Sequence, residues 1–228
     1  MRSLATLLFL GGLVFLLLVL TAGLPFGRPP MLVGDAIAQA AADEVGAANF
    51  VTAVVLGYRG LDTLGELSIL FAAATAGGLV LGASRGTSRQ RPAGFILRAG
   101  ADVLFPLLLI VGLYIVMHGH LTPGGGFQGG VVLAAAFFLP LLARPQASID
   151  HRWLTVTEGL AGTAFIAIGL IALFSDRPFL TPLLDRGVLG DLLSAGTLSL
   201  LYLAVGLKVG AELASLLSRL ASDDEAAS

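Results

Sequence analysis

The stretch HGHLTPGGGFQGG, His118–Gly130, separates two apolar runs that are each long enough to cross a membrane. It holds two of the chain's three histidines, a proline and the run Gly124-Gly125-Gly126. Consecutive glycines lose too much backbone freedom to sit cheaply in regular helix or strand. At membrane depth, irregular backbone survives only where protein covers it or where it lines a wet cavity. The stretch therefore reads as a break between two membrane helices, beside a polar pathway. Its structural motif is Pro123, Gly124, Gly125, Gly126, Phe127, Gln128, Gly129 and Gly130.

Composition agrees with that reading. The 228 residues are 56% hydrophobic and 12% charged, with a mean hydropathy of +0.92. Soluble domains carry about 25% charged residues. The fold class expected is an all-α integral membrane protein of about six transmembrane helices, with the glycine-rich break between the third and fourth. The chain has no cysteine, so it offers no disulfide and no thiolate ligand. A net charge of −2 without a basic cluster gives no sign of nucleic-acid binding.

Six spans follow outward from the break. Leu4–Leu24 is apolar behind Met1-Arg2 and stops at a proline- and glycine-rich turn. No small-x-small cleavage pattern follows, so a retained helix is expected rather than a signal peptide. Residues 31–60 are mixed, with an alanine-rich helical part and a short apolar part suited to lying at the membrane surface. Leu64–Ala83 is the second span, with Asp62 as its expected N-cap. Ala99–Met117, Phe127–Ala143, Leu154–Phe174 and Leu189–Leu213 complete the set, and residues 221–228 read as a disordered acidic tail. Arg85, Arg89, Arg91 and Arg98 form the densest positive loop, which the positive-inside rule places in the cytoplasm with both termini.

Charges inside apolar spans are expensive, so they are usually paired, wet or functional. Asp102 and Glu212 read as helix-end residues that reach the interface. Lys208 and Glu158 suit either an interhelical pair or an ion path. Lys208 and Glu212, four apart, share a helix face. Glu66 favours function, because Asp62 lies one turn away and both adjoin a glycine-rich region. His118 and His120 suit a hydrogen-bonding role at the break or a proton relay, since histidine titrates near neutrality. Two ligands at this spacing fall short of a closed zinc site, so no metal is expected. Gly206-x-x-x-Gly210 lets another helix approach closely. No nucleotide, hydrolase or redox-cofactor motif is present, so no cofactor and no catalytic residue are expected.

These residues carry a resemblance. His118–Gly130, together with Ser194–Thr197 and Leu203–Glu212, resembles the B subunit of multi-subunit, Mrp-type sodium/proton antiporters, over roughly residues 92–218. Asn49–Glu66 resembles the carboxyl end of the antiporter's large A subunit, or the matching small subunit of membrane-bound hydrogenases. That pattern usually has an acid where this chain has Gly57. The resemblance implies a fusion of a two-helix module, 1–90, and a four-helix module, 91–220, joined near Ser84–Pro92. It also implies that Glu66 lies on an ion route. The implied partners are other integral membrane subunits, including large antiporter-like ones, with sodium, protons and the lipid bilayer. Three functions fit: an antiporter subunit, a membrane-arm subunit of a redox-driven pump such as a membrane-bound hydrogenase or sulfur reductase, and a passive scaffold. The charges are too few for a continuous pathway within one chain, so an obligate subunit of the cell membrane is expected.

Overall fold

The computed structural model describes residues 2–23, 32–82, 93–144 and 149–223. Every regular element among them is helical: α1 (Arg2–Gly23), α2 (Leu32–Val45), α3 (Phe50–Thr52, running into a π-helical turn, Ala53–Tyr58), α4 (Gly60–Gly82), α5 (Phe95–Met117), α6 (Gly126–Ala143), α7 (His151–Phe174) and α8 (Leu198–Asp223). Six of these (α1 and α4–α8) are long and apolar enough to cross a membrane. The arginine-rich loop apart from Arg98, the expected join near Ser84–Pro92, the stop after α1 and residues 224–228 lie outside the described residues.

The chain divides into two compact units, Met1–Ile37 and Ala38–Ser228. In the first, α1 is apolar on every face, the pattern of a helix whose surroundings are lipid or protein rather than water. In the second, α8 is the hub and packs on α4, α5, α6 and α7. It is the most buried of the six spans, because its polar and small residues have no good partner in lipid.

The tight seam runs between α5, α6 and α8. A Cβ on Gly129 would lie 2.8 Å from the Gly112 carbonyl oxygen, and one on Gly206 would lie 2.6 Å from Val116 Cγ2. Without an apolar solvent effect to press helices together in a bilayer, such close contacts supply much of the packing energy. The Gly206-x-x-x-Gly210 pattern thus meets two neighbours at once, Val116 on α5 and Gly130 on α6.

Two local expectations, the bounds of the last span and the N-cap of α4, need correction. The last span begins at Leu198, not Leu189, and its helix runs on to Asp223, past the expected start of the tail at 221. Residues 189–197 are apolar but turn back on themselves: Ala195 and Gly196 take φ of 64° and 55°, and Ala195 N–H donates to the Arg186 carbonyl. Asp62 is not the N-cap of α4; it sits in the first turn, where it pairs with Arg59. Residues 32–58 form two helical arms bent by 93° about Gly46–Asn49.

Candidate functional site

The glycine break creates a shortage of hydrogen-bond donors. Between α5 and α6 the backbone runs through turns, so its carbonyls need partners from elsewhere. The bend at Asn49 supplies them. Asn49 Nδ2 donates to the carbonyls of Gly119 (2.8 Å) and Thr122 (2.9 Å). Its backbone N–H donates to the His120 carbonyl at 2.9 Å, while its Oδ1 caps α3 by accepting from Val51 N–H. The Thr52 hydroxyl adds a second donor to Gly119 O, at 2.6 Å, and itself accepts from the Tyr202 hydroxyl of α8 at 2.5 Å. Two segments some 70 residues apart and the hub helix are thus latched through uncharged groups.

The histidines of the motif play different parts. His120 is fully buried, and its Nε2 lies 3.3 Å from the Asp191 carbonyl oxygen, a contact that requires the N–H on that nitrogen. Burial pushes its pKa below the ordinary histidine value, against the opposing pull of the Asp191 and Leu192 carbonyls, so the ring is neutral at neutral pH. His118 is half-buried, stacks on Tyr114 at 4.0 Å between ring centroids, and places Nδ1 3.1 Å from the Tyr114 carbonyl. Pro123 is exposed beside Gly124 and Gly125, whose φ values of +153° and +138° suit glycine alone. A Cβ at Gly125 would also lie 2.7 Å from the Tyr202 ring.

Glu66 stands between two cavities. One, of about 320 Å³, is lined by Glu66 with Arg59, Asp62 and Thr63; the other, of about 280 Å³, by Glu66 with Gly124, Phe127, Gln128 and Tyr202. The structure thus brings Asp62, Glu66 and the far end of the glycine motif together, whereas His118 and His120 line neither cavity. Gln128 does not bond the free carbonyls of the break. It is exposed toward the cavity, and Asn49 and Thr52 do that work. Among the described residues Glu66 has no hydrogen bond or ion pair, and its side chain is exposed on a helix long and apolar enough to cross the membrane. Gly57, where the resemblance usually has an acid, faces Val45: a Cβ there would lie 3.0 Å from Val45 Cγ2.

A second polar centre lies further along α8. Lys208 Nζ reaches Glu212 on its own helix at 3.1 Å and Glu158 on α7 at 3.5 Å, and sits 5.1 Å from the Phe71 ring centroid on α4. The lysine stem runs along Gly162 on α7, where a Cβ would meet Lys208 Cδ at 3.5 Å, an ordinary van der Waals contact. Glu212 does not reach the interface as expected; it is 2% exposed. Asp102, two turns into α5, pairs with Arg144 at 2.6 Å with both side chains about half exposed.

Sequence reasoning missed Asn49, Thr52 and Tyr202. All three are ordinary residue types whose partners are distant in sequence, and only the carbonyls stranded by Gly119–Gly125 hinted that donors must come from somewhere.

The family profile described as "Domain related to MnhB subunit of Na+/H+ antiporter" matches residues 96–215. An uncharacterised protein of Methanocaldococcus jannaschii is 30% identical over 198 residues, 73% of this chain and 74% of that one. A putative antiporter subunit mnhB2 of Staphylococcus aureus is 33% identical over 92 residues, 38% of this chain, and the match spans 63% of that protein's length. Among solved structures, a chain of the membrane-bound sulfane sulfur reductase, an archaeal respiratory membrane complex, superposes with a TM-score of 0.78 at 37% identity, covering 96% of this chain and 97% of that one. A chain of the Mrp complex from Dietzia sp. DQ12-45-1b gives 0.76 at 26% identity, covering 98% of this chain but 26% of that longer one. The chain belongs to the family of domains related to the MnhB subunit of Na+/H+ antiporters, and is a membrane subunit of the cation-antiporter type.

Proposed function

We propose that the chain is a non-catalytic subunit of a multi-subunit sodium/proton antiporter in the cell membrane, where it helps assemble the complex and lines part of the ion path at Glu66. The observation that carries this reading is Glu66 itself: an exposed carboxylate on a membrane helix, without a partner among the described residues and with a cavity on either side. A carboxylate facing hydrocarbon costs about 2.5–3.5 kcal/mol even on insertion scales. The cheapest completion is a neighbouring membrane subunit that closes both cavities and leaves them wet. Asp62 and Gln128 then mark the two approaches to Glu66, and His118 and His120 hold the break.

In this reading residues 1–90 and 91–220 are two modules acting as one unit, with both termini cytoplasmic. The superposition of nearly the whole fold within one longer Mrp-complex chain supports the pairing of the modules. The test is cation/proton exchange by the assembled complex in vesicles. Glu66→Gln is expected to lower exchange by an order of magnitude or more while the complex remains intact. Full exchange in that variant would remove Glu66 from the path.

One observation favours a second reading, in which the parent complex is a redox-driven ion pump. The sulfane sulfur reductase chain matches end to end, 96% against 97%, whereas the Mrp-complex chain is mostly other sequence. Iron–sulfur or other redox subunits copurifying with the chain would establish it.

A further inference from the structure

The cluster on α7 and α8 has a charge imbalance that the hydrogen-bonded end of the fold lacks. Two carboxylates, Glu158 and Glu212, face a single ammonium, Lys208. Burial is graded: the side chains of Glu158, Lys208 and Glu212 are 18%, 11% and 2% exposed. Glu212 Oε2 receives the Lys208 N–H, but Glu212 Oε1 is buried and has no hydrogen-bond partner. A buried ionised oxygen without a donor is costly, and one ammonium cannot neutralise two carboxylates.

A cavity of about 220 Å³ leads to this point. Its lining includes Glu158 and Glu212 at one end and Arg219 at the other, with Thr75, Thr155 and Ser215 between them. Glu212 and Arg219 lie seven residues apart on α8, about 10 Å along the axis. Arg219 is exposed, so its charge is largely screened by solvent and does not balance the buried carboxylates. The charged groups that face Glu212 are Lys208 and Arg219 on α8 and Glu158 on α7; α4 lines the cavity with Phe71, Thr75 and other uncharged residues.

We propose that Glu158, Lys208 and Glu212 form a second ion site, separate from Glu66, which takes up one exchangeable proton through the cavity that ends at Arg219. The balance is simple. One proton adds to one carboxylate oxygen and makes a neutral carboxylic acid; Lys208 keeps its proton and pairs with the remaining carboxylate; the cluster becomes neutral. A proton suits the site better than a metal ion, because Glu212 Oε1 is not open to a water-sized neighbour. Glu158, the least buried member, is the entry point, and Lys208 can turn its ammonium between the two carboxylates as the proton changes sides. The site is independent of whether exchange or redox chemistry drives the parent complex.

Infrared titration of the purified complex tests this by reading protonated-carboxyl stretch intensity as pH is lowered through neutrality. The complete complex is expected to gain one protonated carboxyl per chain that is missing in Glu212→Gln and equally missing in Glu158→Gln. Each substitution leaves one carboxylate for one ammonium, so either variant alone suffices if the other fails to assemble. Lys208→Met is expected to raise the uptake from one proton to two. Equal band intensity in the parent complex and an assembled glutamine variant would overturn the proposal. So would a band that disappears when sodium is added at constant pH, since the site would then hold a metal cation. The unsubstituted complex alone is decisive in one direction: no protonated carboxyl near neutral pH would also overturn it. None of these readings depends on transport through Glu66, so failure here and failure there are separately visible.

Discussion

Two stretches of α8, its start around Tyr202 and its middle around Lys208, solve the problem of buried polarity in different ways. Around Tyr202 the chain uses uncharged groups: an amide, hydroxyls, backbone carbonyls and a neutral imidazole, each bonded to a partner from another segment. Around Lys208 it uses full charges, three of them, with one oxygen left over. The network around Tyr202 carries no net charge and fixes the break in one geometry, although His120 Nδ1 is buried there without a partner. An odd charge count retains a demand for a counter-charge. One stretch is built to hold shape and the other to change protonation.

The largest expected effect breaks both stretches at once. Gly129→Leu puts a side chain against the Gly112 carbonyl and Val116, and a misfit of that size exceeds the roughly 1–3 kcal/mol of ordinary overpacking. Loss of the assembled complex, read by size exclusion in detergent, is the expected outcome.

Next comes Lys208→Ala, which strands two carboxylates. Removing one partner of a buried pair costs about 3–5 kcal/mol. The melting temperature of the complex is expected to fall at neutral pH and to recover partly on acidification, as the carboxylates are neutralised.

Asn49→Ala acts on the neutral stretch alone. It frees the Gly119 and Thr122 carbonyls of their amide donor, each unsatisfied group costing about 1–3 kcal/mol, although Thr52 still serves Gly119. Faster hydrogen exchange is expected in 118–125 and at Val51, which loses its cap, with no change around Lys208.

His120 gives a smaller, pH-dependent effect. Its folded pKa lies below the unfolded value because the ring is buried. Above the ordinary value of about 6.5 the ring is neutral in both states and costs nothing. As pH falls below that value, the unfolded chain takes up the proton first, so stability is lost on the acid side. The break should loosen under mild acid in the parent chain and less so in His120→Gln. The smallest effect belongs to Arg144→Ala, because the half-exposed pair with Asp102 is worth about 0–1 kcal/mol.

The contrast between the two stretches also explains what could be read from sequence. The spans and the break were legible, because apolar length and consecutive glycines carry strong local penalties. The start of α8 was not. Residues 189–197 look like helix by composition, and the positive φ at Gly190, Ala195 and Gly196 breaks it. That nine-residue error moved Glu212 from the middle of its helix to the end, and so turned a buried acid into an interfacial one. Glu66 and Asp62 were legible as neighbours from their spacing on one helix. Asn49, Thr52 and Tyr202 were not, since no periodicity links residues 70 or 150 positions apart.

The central claim is that this chain works as a subunit beside other membrane subunits, which complete the site at Glu66. The most direct measurement is affinity purification through a carboxyl-terminal tag in mild detergent, with copurifying chains identified by mass spectrometry. The account predicts large multi-span antiporter-like subunits in fixed proportion, without redox proteins in the antiporter reading and with them in the pump reading. A chain that came out alone, and exchanged sodium for protons when reconstituted by itself, would contradict it.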